Sequence, residues 1–434
     1  MNSSQAEVGR PIKTLVDMDG NEFRVMKKLG EGGQGIVYET DDPSLAIKQP
    51  LRNGQIDQSR DFNRLFENIR CLPIPRHLHV TSPIAILQSE PGFVMRLMSG
   101  RMPLGMYDVN DYGEYGKTGG TKIRLQILAS VAVTLSRLHA AGLVYGDISP
   151  NNIYVDKDDP KSTWLIDPDN LRFELGRGGS VMYTPGYGAP EIVRGEDGSR
   201  PTSDVWAFAV LAFRLLTMIE PFVGRQVLED VTEDSWDTPS GWMSGCPEAR
   251  AYAGLLPFVD DPADDANRAE QVDGRPLGLP RAWVLTPRLR GLFEKTFCAG
   301  RLAPWKRPSM LSFAKALQEA ADISVMCRSC GMSFYHGQFE ACPWCDGKLP
   351  RYCVATFATG GRKVLQGAGN GRYELPRRLF GPFYPGSTAN CRHSLASRRP
   401  ALIQRGVLRR PAAGRVPRRD QRRMRRSAWL AVSP

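Results

Sequence analysis

The first hundred residues alternate short apolar runs with polar turns, which is the period of β-strands whose side chains point to opposite faces of a sheet. The runs Val37–Glu39 and Leu45–Lys48 predict two strands, and Phe93–Met98 predicts a third that leads into a Ser-Gly linker. Between them, Arg60–Arg70 has the spacing of an amphipathic helix. The pattern therefore predicts a β-rich N-terminal region with one helix.

Helical periodicity dominates the region that follows. Apolar side chains recur on one side of Lys122–Ala141, and Gly142 is placed to end that helix. The segment Asp204–Ile219 is apolar nearly all round, which predicts a buried helix, and Pro308–Ala321 predicts a last amphipathic helix. The stretch Gln226–Arg275 carries twelve Asp and Glu against three Arg and is predicted to be an inserted loop region.

The net charge of +11 is a property of the tail. From Arg351 onward, 18 Arg and one Lys stand against Glu374 and Asp420, a net charge of +17, so the first 350 residues carry −6. We therefore do not expect the folded part to bind nucleic acid. The tail itself has three interpretations, to none of which we assign a function: a disordered basic extension, a nucleic-acid-binding arm, or the product of a shifted reading frame.

Nothing in the sequence predicts a membrane span. The most apolar stretch, Val210–Ile219, is short and contains Arg214, so it fits a buried helix. The N-terminus, Met1–Arg10, is polar and has no apolar signal core. Four of the nine cysteines form two Cys-x-x-Cys pairs, which suit a metal in a reducing compartment better than disulfides. We therefore expect a cytoplasmic protein.

Two acidic tracts carry the candidate chemistry. In the first, Asp147 precedes Asn152 by five residues, and in the second, Asp167 follows an apolar pair. Phosphoryl transfer from a nucleotide needs a carboxylate that orients the attacking hydroxyl and oxygen ligands that hold Mg²⁺ against the phosphates. Acidic loops are usually only solvated, so each tract alone is a weak signal. Their order behind a glycine-rich loop and a lysine strengthens it.

The run Gly30–Gly35 has the spacing G-x-G-x-x-G. Glycines let the backbone approach phosphates closely. A dinucleotide-binding fold shares this spacing, but it requires a helix directly after the loop. Here the strand-like Val37–Glu39 follows instead, and then Ala46-Ile47-Lys48.

These motifs, in this order, resemble the protein kinase superfamily over roughly residues 20–325. The resemblance implies that Lys48 binds the α and β phosphates of ATP and that Glu67, in the predicted helix, pairs with Lys48. The alternative for Lys48 is a surface lysine on an edge strand. The alternative for Glu67 is a solvated helix charge, since Asp61 also lies nearby.

The same resemblance assigns roles to the acidic tracts. Asp147 corresponds to the catalytic aspartate, and Asn152 and Asp167 correspond to ligands of Mg²⁺. The nucleotide-binding residues that it implies are Gly30, Gly32, Gly35, Val37, Ala46, Lys48, Met95, Arg96 and Met98. Within that set, Met95 would be the gatekeeper side chain, and the hinge Arg96–Met98 would bond the adenine.

Departures from the family pattern fall in the acidic tracts. Tyr145-Gly146 replaces His-Arg, which removes the cationic partner of a phosphorylated activation loop. Ser149 replaces a lysine, and Pro168-Asp169 replaces Phe-Gly, where proline fixes φ and removes an amide donor. None of them removes the base or a metal ligand, so we expect an active enzyme that needs no phosphate in the loop over 170–191. The hydroxyl candidates there are Ser180, Tyr183 and Thr184.

Other resemblances concern the fold. Ala189-Pro190-Glu191 resembles the segment that closes the activation loop, and Arg307 would be the buried partner of Glu191. Asp204-Val205-Trp206 resembles the start of a family helix. These residues support the fold rather than the activity.

The two cysteine pairs are the second strong signal. Cys327 and Cys330 are separated from Cys342 and Cys345 by eleven residues. Such knuckles place four thiolates tetrahedrally about 2.3 Å from Zn²⁺ and leave no open position, so the predicted metal is structural. The alternative, two accidental pairs of buried thiols, is disfavoured by the matched spacing. His336 is expected to be a surface residue, and the arrangement is similar to bacterial-type kinases with a C-terminal zinc ribbon.

The sequence thus predicts an α+β, two-lobed kinase-like fold, a small zinc ribbon and a basic tail expected to be disordered. The predicted bounds are 20–100 and 101–325 for the two lobes, 326–348 for the ribbon and 349–434 for the tail. The predicted reaction transfers the ATP γ-phosphoryl group to a Ser or Thr hydroxyl of an unidentified protein, with Mg²⁺ and a structural Zn²⁺. The alternatives are a small-molecule kinase and a weakly catalytic nucleotide-binding scaffold that recruits a protein partner through the ribbon.

Overall fold

A computed structural model describes residues 13–32, 35–58, 61–174, 183–229, 247–269, 277–356, 361–366 and 403–405 of the chain. Within these residues, strands dominate the N-terminal part, and helices dominate from there to Asp322. This division confirms the predicted α+β class with two lobes. In the same ranges, no helix combines the length and the apolarity that a bilayer crossing requires.

An antiparallel sheet forms the N-terminal lobe. Its described strands are β1 Lys13–Val16, β2 Glu22–Gly32, β3 Gly35–Thr40, β4 Leu45–Arg52, β5 Gln55–Ile56, β6 Ala85–Ile86 and β7 Phe93–Arg96. Their spatial order is β1-β2-β3-β4-β7-β6, and β5 pairs with β4. The helix α1 (Asp61–Arg70) follows β5 in the chain. The three strands and the helix that the pattern predicts are therefore present at the expected places.

Strand β4 is buried on both faces, and this decides where its lysine points. Ile47 packs with Val94 in an apolar cluster on one face of the sheet. Because neighbouring side chains of a strand point to opposite faces, Lys48 points to the other face. There its cross-strand partner Phe93 packs against Phe66 of α1, with ring centroids 4.5 Å apart.

Helices build the C-terminal lobe around one that is buried. The described helices are α2 Tyr112–Lys117, α3 Gly120–Ala140, α4 Pro190–Val193, α5 Pro201–Thr217, α6 Arg225–Leu228, α7 Pro247–Tyr252, α8 Arg281–Val284, α9 Pro287–Glu294 and α10 Met310–Asp322, with a π-helix at Lys295–Ala299. Helix α5 is enclosed on almost every side, because apolar residues fill nearly all its positions. Gly142 follows α3 with a φ of +73°, which fits the predicted helix end.

Short strands hold the two acidic tracts side by side. These strands are β8 Arg101–Pro103, β9 Leu143–Val144, β10 Ile153–Asp156, β11 Thr163–Leu165 and β12 Arg172–Phe173, and 3₁₀ turns lie at Leu104–Tyr107, Pro150–Asn152, Pro168–Asn170 and Pro304–Lys306. Strand β10 pairs with β11 and β8, and β9 pairs with β12. The first tract joins β9 to β10 and the second joins β11 to β12. The N–H of Ile166 donates to the carbonyl of Asn152 at 2.9 Å and ties the two tracts together.

The acidic stretch that we predicted to be an inserted loop is partly folded into the core. Its residues 230–246 and 270–275 lie outside the described ranges. Between them, Leu256, Phe258 and Val259 are buried, and the buried Asn267 donates to two backbone carbonyls at 2.9 Å. The structure differs from the expectation because the average charge of the stretch conceals a short apolar run that packs as core.

The cysteine-rich segment adds further strands. They are β13 Ser324–Met326, β14 Ser333–Tyr335, β15 Tyr352–Thr356, β16 Arg362–Gln366 and β17 Ile403–Arg405, with β13 paired to β14 and β15 paired to both β16 and β17. Val364 of β16 is buried beside Val325 and Phe334. The structure therefore differs from the predicted boundary at 348, because β16 completes the apolar core of this segment. The predicted disorder of the tail concerns residues that, apart from 349–356, 361–366 and 403–405, lie outside the described ranges.

This ribbon, residues 324–356 and 361–366, packs directly on the helical lobe. A Cβ on Gly116 of α2 would lie 2.6 Å from a ribbon carbonyl, and one on Gly331 would lie 2.5 Å from the Gly116 carbonyl. The Tyr335 hydroxyl donates to the last carbonyl of α8 at 2.7 Å. Trp283 of the same helix meets Trp344 edge-on, with ring centroids 4.9 Å apart. The ribbon is thus part of the lobe's packing rather than a separate module.

Candidate active site and metal centre

A buried aspartate of α5 holds the first acidic tract in place. Asp204 accepts hydrogen bonds from the backbone N–H of Tyr145 at 2.8 Å and of Gly146 at 2.9 Å. His139, near the end of α3, lies 2.9 Å from the same carboxylate. Because Asp204 takes up these donors, the tract enters the cleft in one fixed conformation.

Gly146 stands where the family pattern has arginine, and the local geometry favours glycine there. Its φ is +86°, a conformation that side chains disfavour. A Cβ at this position would also lie 3.0 Å from the carbonyl oxygen of Asn170 in the second tract. The two acidic tracts are therefore packed more closely than an arginine would allow.

Asp147 lies at the centre of the site, and its two carboxylate oxygens have different partners. Oδ1 accepts from the backbone N–H of Thr184 at 2.9 Å and from its hydroxyl at 2.7 Å. Oδ2 accepts from Asn152 Nδ2 at 2.9 Å. Burial raises the pKa of Asp147 above its usual value, and the hydrogen bonds from Thr184 oppose that rise. Thr184, which the sequence suggested only as a phosphorylation candidate, positions this carboxylate.

The predicted phosphate-binding lysine crosses the cleft to the second tract. Lys48 is 7% exposed, and its Nζ lies 2.5 Å from Asp167 Oδ1 and 2.7 Å from Asp169 Oδ2. Burial alone would lower the pKa of Lys48, but the carboxylates of Asp169 and Asp167 outweigh burial and raise it. For the acid Asp169, burial has the opposite sign and raises the pKa to about 6, although the positive charge of Lys48 lowers it. The sequence predicts a role for Asp167 and none for Asp169.

Asp167 adopts a backbone conformation that is rare for a residue with a side chain. Its φ is +59°, and Pro168–Asn170 continues as a 3₁₀ turn. The Tyr145 hydroxyl donates to the carbonyl of Ile166, so the first tract supports the second. Aspartate tolerates this conformation better than most residues, and such conformations cluster at functional sites, where the surroundings impose them.

The predicted pair between Lys48 and Glu67 is not formed in the structure. Glu67 lies on the exposed side of α1, whereas Phe66 and Ile69 face the core. Each step along a helix turns the side chain by about 100°, so the residue after a buried one readily faces solvent. The order of motifs gave the helix correctly, but not the rotation of that helix about its axis.

The glycine-rich run forms the end of the β2–β3 hairpin. Gly32 is paired with Gly35, and residues 33–34 lie outside the described ranges. A Cβ on Gly35 would meet the Gln49 carbonyl at 2.9 Å, whereas Gly30 and Gly32 have open space where a Cβ would stand. Gly35 is therefore needed for strand packing, whereas the strand packing does not require Gly30 and Gly32.

The remaining predicted nucleotide contacts lie on β3, β4 and β7. Ala46 is fully buried and is the cross-strand partner of Met95, while Val37 is half-buried opposite Lys48. Met95 packs on the cluster around α1. The other two predicted contacts are Arg96, which is exposed, and Met98, which is half-buried at the start of the linker. The structure thus places these predicted contacts on neighbouring interior strands of the sheet and at the start of the linker.

Across the part of the cleft that the structure describes, negative charge exceeds positive charge. Asp147, Asp167 and Asp169 converge there, and within the described residues Lys48 is the cation that bonds to two of them. Oδ1 of Asp169 is buried and has no hydrogen-bond partner there. Hard oxygen donors with uncompensated charge suit Mg²⁺, so the residues present fit a magnesium nucleotide.

The four cysteines form a compact cluster. The Sγ atoms of Cys327 and Cys345 are 3.7 Å apart, as are those of Cys330 and Cys342, and all four lie within 4.8 Å of one another. A tetrahedron with metal–sulfur distances of about 2.3 Å has sulfur–sulfur edges of about 3.8 Å, so the cluster fits Zn²⁺. His336 lies outside this cluster and is half-buried rather than on the surface.

The two turns that carry the cysteines differ in detail. Gly331 follows the first pair with a φ of +72°, a conformation that glycine adopts readily. In the second turn, Asp346 takes the left-handed conformation with a φ of +56° and Gly347 does not. Aspartate tolerates this conformation better than most residues. Gly347 instead provides space, because a Cβ there would lie 3.1 Å from Cys345 Sγ.

Comparisons with known proteins agree with this geometry. A family model described as the protein kinase domain matches residues 23–241. The chain is 27% identical over 259 residues to the serine/threonine-protein kinase pkn2 of Myxococcus xanthus, covering 56% of this chain and 30% of that protein. It is 25% identical over 267 residues to pkn3 of the same organism, covering 57% and 48%. It is 26% identical over 266 residues to the serine/threonine-protein kinase PkaB of Streptomyces coelicolor, covering 55% and 62%. The chain thus spans less than two thirds of each of these relatives.

Proposed function

The chain belongs to the protein kinase family, and from that premise we propose that it transfers the γ-phosphoryl group of ATP to a Ser or Thr hydroxyl of a protein. The observation that carries the proposal is the convergence of four side chains from separate parts of the chain. Lys48 comes from the N-terminal sheet, Asp147 and Asn152 from the first acidic tract, and Asp167 from the second. The named serine/threonine kinases among the relatives support the choice of acceptor.

Each of these residues has a distinct part in the proposed reaction. Asp147 accepts a hydrogen bond from the acceptor hydroxyl and orients it. The hydroxyl oxygen bonds to the γ-phosphorus as the bond from that phosphorus to the β–γ bridging oxygen breaks, the hydroxyl proton passes to Asp147, and ADP leaves. Lys48 binds the α and β phosphates, and Asn152 and Asp167 would hold Mg²⁺. Bound Mg²⁺ supplies positive charge that offsets the phosphates and the carboxylates of the cleft.

The ribbon has a structural part in this proposal. Its four cysteines would close the coordination of one Zn²⁺, and its packing on α2 and α8 would brace the helical lobe. A protein partner recruited by the ribbon remains a prediction. Such a partner would have to use the outer face, because the inner face is covered by the lobe. The cytoplasmic location also remains a prediction that rests on the cysteine spacing.

Transfer from labelled ATP with Mg²⁺ tests the proposed reaction. Generic protein acceptors and small hydroxyl compounds serve as parallel substrates. Asp147→Asn should reduce transfer to protein by about 10²–10⁴-fold, the usual contribution of a positioned general base. The matched control is Asp158→Asn, because Asp158 is exposed on the loop after β10. It should retain full activity.

Three outcomes would contradict this function. Label that appears only in small molecules would favour the small-molecule kinase, and tight ATP binding without any transfer would favour the scaffold. Undiminished transfer by the Asp147→Asn protein would remove the assigned base.

A further inference from the structure

Building on the proposed function, we propose that Asp169 is the residue that positions Lys48, in the place that the family resemblance gives to Glu67. The lysine would then be held by the turn that follows its metal-binding neighbour Asp167, and not by helix α1.

The enclosure of the three groups supports this choice. Lys48 Nζ lies 2.7 Å from Asp169 Oδ2, and the two side chains are 7% and 15% exposed. Asp167, at 26%, is the more open of the two carboxylates that contact the lysine. Asp169 is therefore the partner that is enclosed with the lysine, while Asp167 faces the space into which a nucleotide would enter.

Helix α1 offers the lysine no competing acid at the predicted position. Phe66 and Ile69 turn toward the sheet, and Glu67 is exposed. The turn Pro168–Asn170 lies against α1, and its Asp169 reaches across to Lys48 of β4. The acid that reaches Lys48 thus comes from the turn.

A division of labour between the two carboxylates follows. Asp167 is the proposed ligand of Mg²⁺, and a carboxylate that ligates a metal is less available to a lysine. When the metal is bound, Lys48 keeps Asp169 as its partner and stays aimed at the phosphates. Without Asp169, Lys48 would hold Asp167 alone and compete with the metal for it.

The backbone makes Asp169 a fixed partner. Pro168 restricts φ at the start of the turn, and the N–H of Leu171 donates to the Pro168 carbonyl at 2.8 Å. The position of Lys48 would therefore not depend on where α1 lies. That predicts a kinase whose lysine is set by the second acidic tract alone.

A double-mutant cycle tests whether Asp169 acts through Lys48. The proteins are the wild type, Asp169→Asn, Glu67→Gln, Lys48→Met and the double variant Lys48→Met/Asp169→Asn. The measurements are kcat and KM for ATP, and equilibrium binding of a fluorescent ATP analogue with and without Mg²⁺. Thermal unfolding checks that every variant folds, and Asp169→Ala is a second replacement. Neither Asp169→Asn nor Asp169→Ala should unfold the protein, since each removes one of the two neighbouring negative charges of Asp167 and Asp169.

The expected result is a drop of about 10- to 100-fold in kcat/KM for Asp169→Asn, the size of one lost charge-assisted hydrogen bond. Glu67→Gln should change kcat/KM by less than about twofold, as for an exposed charge. In the Lys48→Met background, Asp169→Asn should add less than about twofold to either readout.

Other results would overturn the inference. An effect of Asp169→Asn that persists in full beside Lys48→Met would make Asp169 a direct metal ligand. A large effect of Glu67→Gln would return the positioning role to α1. A change of less than about twofold in both readouts of Asp169→Asn would show that Asp169 does not position Lys48. If the wild type transfers no phosphate, the proposed function fails, while the binding cycle still decides whether Asp169 and Lys48 are coupled.

Discussion

The four-cysteine cluster and the carboxylate cleft are both candidate metal sites, but the chain builds them differently. The cysteines come from one short segment, and their sulfurs already lie at the spacing of a tetrahedral site. The cleft joins β4 to a turn 119 residues later, and its lysine already occupies two of its carboxylates. The first site is complete by itself, whereas the second has to exchange partners when a nucleotide arrives. A structural site favours local completeness, and a catalytic site keeps groups that can be redistributed.

The largest expected effect separates the two sites by chemistry. Asp167→Asn should lower phosphoryl transfer by about 10³-fold or more, because the variant loses a charged ligand of Mg²⁺. Its zinc content should stay at about one ion per chain, since the ribbon has its own four ligands. Radiolabel transfer and metal analysis of the same sample measure both. Loss of zinc in this variant would mean that the two sites are not independent.

Removal of the zinc should weaken the whole helical lobe, because the ribbon packs on α2 and α8. We expect Cys342→Ser to lose the metal and to lower the midpoint of thermal unfolding by roughly 5–10 °C, which corresponds to a few kcal/mol for a lobe of this size. Cys71→Ser is the matched control, since Cys71 is exposed and lies in the other lobe. Zinc analysis and calorimetry provide the measurements. If the Cys342→Ser protein unfolds at the same midpoint as the control, the metal-bound ribbon does not stabilise the helical lobe.

The contact between ribbon and lobe can be tested with two helical glycines. Gly116→Ala in α2 would place a methyl group 2.6 Å from a ribbon carbonyl, whereas Gly291→Ala in α9 meets open space. The first change should destabilise the protein by about 1–3 kcal/mol through overpacking. The second should stabilise it by roughly 0.5–1 kcal/mol, because alanine favours the helix. Denaturant unfolding gives both values. The same sign for both variants would argue against close packing at Gly116.

The smallest expected effect is a dependence of stability on pH at Asp169. Burial places the pKa of its folded-state carboxyl at about 6, above the value of about 3.9 expected in the unfolded chain. The folded state thus binds this proton more tightly, so the contribution of the group to stability is full below pH ~3.9 and is lost as the pH rises through ~6.

Asp169→Asn has no such titration. Its stability relative to the wild type should therefore rise by about 2 kcal/mol between pH 4 and pH 7, without Mg²⁺ or nucleotide. Urea unfolding at several pH values measures the difference, and the exposed Asp158→Asn should show no comparable trend. A difference for Asp169→Asn that stays constant with pH would contradict a buried, proton-binding Asp169.

The sequence predicted local features well, and also the tertiary contacts that family motifs encode, such as the buried pair of Arg307 and Glu191 at 2.7 Å. It did not predict contacts between segments that carry no motif. The spacing of the cysteines was enough to predict that four thiols cluster around one metal position. The order of the motifs was enough to predict that Lys48, Asp147 and Asp167 meet in one cleft.

The partner of Lys48 depended on the rotation of α1 about its axis. A shift of one residue along the helix turns a side chain by about 100°, and the order of motifs does not specify that rotation. The role of Thr184 and the packing of the ribbon depended on contacts between distant segments. Neither leaves a periodic signal in the chain.

The seating of the ribbon on α2 and α8 also bears on biosynthesis. When the ribosome has made the chain only as far as α10, the surface around Gly116 and Trp283 has no cover. Domains generally fold from the N-terminus during synthesis, and apolar surface that stays open in that interval is prone to association. The helical lobe reaches this packing only after residues 324–356 and 361–366 have emerged and, in our prediction, their four thiolates have bound zinc. Supply of zinc to the nascent chain would thus set the yield of folded protein.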